Sequence, residues 1–182
     1  MYRLILLASF IFCIGFALAN PTIGGTYSLT NNKGEKVNEK TYHGKYQLVF
    51  FGFTSCPSAC PLGLYIMSQV LERLGTRASE FQPLFISVDP KRDTEAILTK
   101  FLAKYGKNFV GLRGSQEEVS DLIKKYRGYF QKIAESEDGK YYDFDHSTLI
   151  YFLDKNGNYV SHYESGEGAA KITEEIKKKL SN

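Results

Sequence analysis

The sequence has little net charge, no tryptophan, and few cysteines or prolines. A net charge of +3 is too small to indicate a nucleic acid or an acidic partner. There is also no internal repeat, low-complexity tract or linker. With 43% apolar and 24% charged residues, the chain has the composition of a globular domain with its own core. We therefore expect a single domain from Asn20 onward.

A long apolar run occurs only near the N-terminus, at residues 4–16. It is shorter than the roughly 20 residues that a membrane-spanning helix needs. Arg3 precedes it, and small residues at both key cleavage positions follow in Ala-Leu-Ala at 17–19. The pattern predicts a signal peptide at 1–19, cleaved after Ala19, and a domain at 20–182. It indicates export, to the periplasm or the outer side of an inner membrane.

Two other interpretations of this N-terminal segment stay open. An uncleaved segment would anchor the chain, so that contact with a membrane depends on whether the segment is retained. A lipid anchor would use Cys13, but the bulky Phe12 stands before it where a small residue is expected.

Removal of the signal peptide leaves two cysteines, Cys56 and Cys60, in the run FFGFTSCPSACPLG. In an exported protein such a pair is normally a structural disulfide. Here the disulfide would close a very short loop, and it would stabilise the fold little. The spacing favours chemistry at the thiols, which is either disulfide exchange or the binding of a soft metal ion.

The hydrophobic pattern around this run predicts an α/β fold. A hairpin is expected around residues 31–34, buried strands at 47–53 and 83–88, and a short strand at 108–112. Helices are expected at 62–74, 94–105, 116–126 and 169–180, the third of them starting at a capping box of Ser115 and Glu118. A second hairpin joins 149–153 to 159–163. This order indicates a thioredoxin-like three-layer sandwich with a mixed central sheet and an N-terminal β-hairpin.

The two thiols stand where the first central strand ends and a helix begins. A helix N-terminus favours a thiolate, and Pro61 suits the first helical turn. We expect Cys56 in the loop and Cys60 at or just inside the helix. Three residues separate the cysteines, not the two of ordinary thioredoxins, so the loop is wider and leaves room between the sulfurs.

All five prolines lie at or before Pro90, so none precedes the strand at 149–153. Thioredoxin-like oxidoreductases usually place a cis-proline there, and this chain has His146 nearby instead. Two thiolates and an imidazole form a soft donor set that suits Cu(I) and, with an added ligand, Cu(II). A structural zinc site usually has four protein ligands, and we find no fourth strong candidate.

Other polar and aromatic residues near the histidine are weaker candidates. Asp143 and Asp145 flank His146, and each could orient its ring or be a solvated loop carboxylate. His43 and His162 have polar surroundings and are expected to lie outside the site. Asp89 is interpreted as a turn residue at a strand end. Three aromatic residues are expected in the core or at its rim: Tyr141, Tyr142 and Phe144.

Three blocks of the sequence resemble the Sco/SenC family of copper-binding, thioredoxin-like assembly proteins. They are TSCPSACP at 54–61, VDPKRDT at 88–94 and DFDHSTLIYFLDKNG at 143–157, and the resemblance covers about residues 22–180. It implies that Cys56, Cys60 and His146 bind copper. It also implies a role in maturing the dinuclear copper centre of cytochrome c oxidase, and an acidic residue that shapes the site in the second block. Family loops often have an acidic residue where this chain has Ser58, which lowers the negative charge near the metal.

The resemblance also implies partners. One is the copper-site subunit of cytochrome c oxidase or another copper apoprotein, and a second is a copper donor chaperone. In some members of the family a thiol–disulfide activity acts on the cysteines of the partner. The sequence does not decide whether this protein is an enzyme, although a copper chaperone is the favoured interpretation.

Three functions compete for the same cysteines. The first is a copper metallochaperone. The second is a thiol–disulfide oxidoreductase with Cys56 and Cys60 as its catalytic residues, reducing a copper apoprotein. The third is a peroxidase, which needs a threonine and an arginine beside the attacking cysteine; Thr54 is present, but the sequence does not place an arginine. Copper binding needs both thiolates, so a disulfide excludes it.

Overall fold

The computed structural model describes residues 22–136 and 141–181. The predicted signal peptide and Cys13 lie outside the described residues. The strands are β1 (Ser28–Asn31), β2 (Lys36–Asn38), β3 (Tyr46–Gly52), β4 (Phe81–Ser87), β5 (Val110–Arg113), β6 (Phe130–Glu135), β7 (Tyr142–His146), β8 (Leu149–Leu153) and β9 (Tyr159–Glu164). The helices are α1 (Ala59–Leu74), α2 (Glu95–Leu102), α3 (Gln116–Lys125) and α4 (Ala169–Lys179).

Seven of the described strands form one mixed sheet in the order β2-β1-β5-β4-β3-β8-β9. The central strands β3, β4 and β5 are parallel, and β8 is antiparallel to β3. The N-terminal hairpin β1–β2 extends the sheet beyond β5, and the hairpin β8–β9 extends it at the other edge. The predicted mixed sheet and N-terminal hairpin are therefore confirmed.

One face of the sheet is covered by α1, α2 and α4. Phe50, Phe85 and Gly111 lie side by side on this face of β3, β4 and β5. Helix α1 packs so closely that a Cβ added to Gly63 would lie 2.6 Å from Phe50. Helix α2 approaches Gly111 through Leu102, and α4 packs beside α1. Small residues thus set the spacing between the helices and the sheet.

The opposite face of the sheet packs against the end of α3. The rings of Phe51 and Tyr151 contact Tyr126 there, with centroids 5.2 and 5.0 Å away. Helix α3 begins at the predicted capping box, in which Ser115 and Glu118 each bind the other's backbone N–H. Helices on both faces make three layers, as predicted. Within the described part of the chain, no helix combines the length and apolarity needed to cross a bilayer.

A second, two-stranded sheet, β6–β7, was not predicted from the sequence. Its segments FQKIAE and YDFDH mix charged and apolar residues, and their register shifts between Lys132 and Ala134. FQKIAE lacks the clean alternation that identifies a half-buried strand, and YDFDH alternates over only five residues, a signal that the sequence analysis did not use. The sheet matters because His146 is the last residue of β7 and pairs with Phe130.

Candidate metal centre

Cys56, Cys60 and His146 come together where α1 begins and β7 ends. One possible ligand atom from each of the three side chains lies within 4.8 Å of the other two. Nε2 of His146 lies 3.4 Å from the sulfur of Cys60. All three residues are buried, with exposed fractions of 9%, 0% and 7%. The predicted approach of the histidine to the cysteines is confirmed.

Helix α1 starts earlier than predicted, at Ala59, with Ser58 as its N-cap residue. The first helical hydrogen bond runs from the N–H of Leu62 to the carbonyl of Ser58, at 3.1 Å. Pro61 is accommodated in the first turn, where its missing N–H costs nothing. Cys60 is therefore inside the helix, as expected, and its N–H donates to the Cys56 sulfur at 3.4 Å.

Strand β3 lies directly beneath the Cys60 side chain at Gly52. A Cβ added to Gly52 would lie 2.6 Å from the Cys60 sulfur and 2.9 Å from the Phe85 ring. Contacts this short do not occur in folded proteins, so residue 52 must lack a side chain for Cys60 to pack against the strand. The sequence analysis did not single out this glycine.

The two thiols have very different acidities. A hydrogen bond with the Cys60 thiol lowers the pKa of Cys56 to about 3, and bonds from the backbone N–H groups of Ser58 and Cys60 add to the effect against the cost of burial. The same hydrogen bond and burial raise the pKa of Cys60. The pair therefore holds one thiolate, on Cys56, and one thiol, on Cys60. A metal ion bound by both sulfurs must displace the Cys60 proton.

A backbone carbonyl orients the imidazole of His146. Its Nδ1 lies 3.0 Å from the carbonyl oxygen of Ser147. A proton on Nδ1 would donate to this oxygen and leave the lone pair of Nε2 directed at the cysteines, which is the tautomer that a metal ligand needs. The rings of Phe50 and Phe53 contact the imidazole edge-on and shield it from water.

Asp143 and Asp145 do not orient this ring. The carboxylate of Asp145 accepts from the Tyr129 hydroxyl at 3.1 Å, and that of Asp143 accepts from the N–H of Phe144 at 2.8 Å. Both residues lie on β7. The sequence could not decide this point, because the acceptor is a main-chain carbonyl that carries no residue signature.

Asp93 is a buried residue of the site region that the sequence analysis missed. Its carboxylate is 0% exposed and accepts from Ser87 Oγ and Thr54 Oγ1, both at 2.6 Å, and from the Thr54 N–H. Burial raises the pKa of Asp93, while these hydrogen bonds oppose the rise. Asp93 thus holds Thr54, two residues before Cys56. The available signal was the block VDPKRDT, from which only Asp89 was considered.

Asp89 is a turn residue, as interpreted, and also has a buried side chain. Its carbonyl accepts from the N–H groups of Arg92 and Asp93 in the turn after β4. Its carboxylate pairs with Arg92 and accepts from the Tyr142 hydroxyl at 2.9 Å. The family resemblance implied one acidic residue that shapes the site. The turn after β4 carries two buried carboxylates, Asp89 and Asp93.

The other candidates lie outside the cluster. Within residues 22–136 and 141–181, the cysteines, histidines and acidic residues form one group of three able to hold a metal ion, made of Cys56, Cys60 and His146. His162 is exposed on β9 and contacts the Tyr159 hydroxyl at 2.7 Å. His43 lies beside Gly157.

Two of the three nearby aromatic residues lie as expected: Phe144 packs on Phe53 with ring centroids 5.4 Å apart, and Tyr142 is partly buried. The prediction for Tyr141 is wrong, because its side chain is 77% exposed just before β7 begins. The structure does not favour the peroxidase interpretation. The Thr54 hydroxyl donates its proton to Asp93, so it is not free to donate to a peroxide beside Cys56.

The donor set fits copper. Two sulfurs and one imidazole nitrogen are soft ligands, and three such donors in a buried, largely apolar pocket suit Cu(I). The fit follows from the donor atoms and from their approach to one another, which leaves each within reach of a common ion.

Comparisons with known proteins agree with this geometry. A family model described as SCO1/SenC matches residues 17–181. A SCO2-like protein of Rickettsia felis is 34% identical over 158 residues, which cover 87% of this chain and 77% of that protein. ScoI of Arabidopsis thaliana, solved with copper bound, has a TM-score of 0.81 and 32% identity, covering 87% of this chain and 98% of its own. ScoI of Bradyrhizobium japonicum, also solved with copper bound, has a TM-score of 0.77 and 37% identity, covering 86% and 98%. The chain belongs to the SCO1/SenC family.

Proposed function

We propose that this protein is a copper metallochaperone. It binds one copper ion through Cys56, Cys60 and His146 and delivers it to the dinuclear copper centre of cytochrome c oxidase. The observation that carries the proposal is the buried cluster of two sulfurs and an imidazole, with donor atoms within 4.8 Å of one another. The oxidase as the client, and its copper-site subunit as the partner, rest on family membership.

The residues of the site prepare it for a copper cargo. The Cys56 thiolate is present before the metal arrives, because its pKa is about 3. The Ser147 carbonyl keeps the His146 ring turned toward the sulfurs. Loading then requires the loss of one proton, from Cys60. Transfer to a client needs exchange of these three donors for those of the client.

His146→Ala is expected to lower the affinity for Cu(I) by at least about 100-fold. Removing a residue that only hydrogen-bonds to a metal ligand already lowers metal affinity by about 10- to 100-fold. The Cu(II) absorption and EPR spectra should change with it. The measurement is an anaerobic copper titration of the reduced protein against a competing chelator, followed by spectroscopy.

His162→Ala is the matched control, because this histidine is exposed on β9 and contacts Tyr159. It should bind one copper per chain with the affinity and spectrum of the wild type. If His146→Ala did the same, the three-ligand site would be wrong.

A second candidate function is a narrow thiol–disulfide reductase for the cysteines of a copper apoprotein. The observation in its favour is the Cys56 thiolate beside the Cys60 thiol. Cys56 would attack the partner disulfide and form a mixed disulfide, and Cys60 would then displace the reduced partner and leave Cys56–Cys60 oxidised. Such a reaction has no need of His146.

The alkylation rate of Cys56 tests its thiolate. With a pKa of about 3, the rate with iodoacetamide should be flat between about pH 5 and pH 8, whereas the rate of an ordinary thiol rises through this range. Peptide mass spectrometry measures the rate at Cys56 alone. In Cys60→Ala the rate should rise with pH, because the largest cause of the low pKa is removed. A rate that climbs with pH in the wild type would contradict the assignment.

We also propose that the protein is exported, on the strength of residues 1–19. An oxidising compartment would let the cysteine pair cycle between thiol and disulfide. N-terminal sequencing of the protein recovered from cells would show a start at Asn20 if the signal is cleaved, and at the first residues if it is not.

A further inference from the structure

The three donors come from two segments that are distant in sequence. Cys56 lies in the turn that follows β3 and Cys60 in the first turn of α1, while His146 ends β7. The turn at 88–94, which follows β4, contacts both segments. On one side of it, Asp93 accepts hydrogen bonds from Thr54 in the cysteine turn. Arg92, the preceding residue, faces the other segment.

Arg92 makes several contacts with Tyr142, the first residue of β7. Its Nη1 donates to the Tyr142 carbonyl at 2.9 Å, and its guanidinium lies 3.7 Å from the centroid of the Tyr142 ring. Its Nε pairs with Asp89, whose side chain is 2% exposed. The Tyr142 hydroxyl donates to the same carboxylate at 2.9 Å. Strand β7 is thus tied to the turn by backbone, ring and hydroxyl.

This link matters because β7 belongs to the separate two-stranded sheet. No hydrogen-bonded ladder of the seven-stranded sheet sets its position among the described strands. Its placement depends on side chains, namely Phe144 against Phe53 and Tyr142 against Arg92. Residues 142 and 146 are four apart on the strand and therefore point to the same side. A shift of Tyr142 would move His146 with it.

We propose that Arg92 is a positioning residue that holds His146 beside the cysteines by fixing β7 to the turn at 88–94. Arg92 and Asp93 together connect this turn to both segments that supply the donors, the cysteine segment and β7. The consequence for copper rests on the proposed function, whereas the effect on β7 does not require copper. Loss of Arg92 leaves the hydrogen bonds between Asp93 and Thr54 in place and loosens β7 with its histidine.

The metal-free, reduced protein gives the first test. Arg77→Met is the control for Arg92→Met, because the Nε of each arginine pairs with a carboxylate three residues away. Arg77 and its partner Glu80 lie just before β4, whereas the turn at 88–94 follows that strand. In Arg92→Met, amide hydrogen exchange over residues 142–147 should be about tenfold faster than in the wild type. In Arg77→Met the exchange of these amides should be unchanged.

Copper spectroscopy gives the second test. With Cu(II) bound, the EPR spectrum of Arg92→Met should shift toward that of His146→Ala, and the spectrum of Arg77→Met should match the wild type. Arg92→Lys keeps the charge opposite Asp89 but loses the planar group that stacks on Tyr142. It should show intermediate exchange and an intermediate spectrum, and it decides the question if Arg92→Met does not fold.

The outcomes separate the two proposals. Equal exchange over 142–147 in the Arg92 and Arg77 variants would overturn the role of Arg92. A wild-type spectrum in a folded Arg92 variant would overturn it as well. If the wild-type protein bound no copper, the proposed function would fail, and hydrogen exchange alone would still decide whether Arg92 holds β7.

Discussion

The double variant Cys56→Ser/Cys60→Ser is expected to bind no copper in a titration that saturates the wild type at one ion per chain. The two sulfurs supply two of the three donors in the cluster. A serine hydroxyl is a hard ligand that stays protonated at neutral pH, so only one imidazole would remain for a soft ion. We expect the affinity for Cu(I) to fall by at least about a thousandfold, or roughly 4 kcal/mol. Titration against a chelator under anaerobic conditions measures the loss.

The oxidised wild-type protein gives a second test of whether copper binding needs the two sulfurs. A Cys56–Cys60 disulfide has no thiolate to offer, so it should also take up no copper, and reduction should restore the site. This would make the pair a redox-gated site, whose metal-free state in an oxidising compartment is the disulfide. Circular dichroism checks that the serine variant is folded. Equal copper uptake by the oxidised and reduced forms would end the gating hypothesis.

Gly52→Ala is expected to destabilise the fold and disturb the metal site at once. The new Cβ would lie 2.6 Å from the Cys60 sulfur and 2.9 Å from the Phe85 ring, and both residues are fully buried. The sulfur cannot move away without opening the contact between α1 and β3. Such overpacking costs about 1–3 kcal/mol. Because the sulfur must move, we also expect the copper affinity to fall by at least about tenfold.

Gly166→Ala controls for the substitution itself, since a Cβ there meets nothing within 4 Å. Its free energy of unfolding should change by less than about 0.5 kcal/mol, and copper binding should stay as in the wild type. Urea unfolding and copper titration of both variants make the comparison. Wild-type stability and affinity in Gly52→Ala would show that Cys60 has more room than the short contacts indicate.

Local patterns were sufficient for the elements that carry the cysteines. The apolar run at 47–53 predicted β3, and the helical spacing beyond Pro61 predicted most of α1. The capping box at Ser115 was correct to the residue, because both of its hydrogen bonds join residues three apart in sequence. The thioredoxin-like order of strands and helices followed from these elements.

The support for the histidine could not be predicted in the same way. Strand β6 carries no clear alternation, and the short alternation of β7 was not used, so the sheet that bears His146 was missed. The flanking carboxylates suggested an orienting role for Asp143 or Asp145, but the Ser147 carbonyl has it. The motif VDPKRDT contains both Arg92 and Asp93. Its local sequence does not show that Asp93 contacts Thr54 or that Arg92 contacts Tyr142.

The sequence by itself determined the chemistry of the donors, since residue types set the softness of a ligand and a helix start favours a thiolate. Only the tertiary structure decided that His146, 86 residues after Cys60, lies 3.4 Å from its sulfur. The tertiary structure likewise decided that Gly52 has no room for a side chain and that the turn at 88–94 contacts both the cysteine segment and β7. The physical reason is that these contacts join strands and helices that are distant in sequence. The distances between them are set by how the whole core packs.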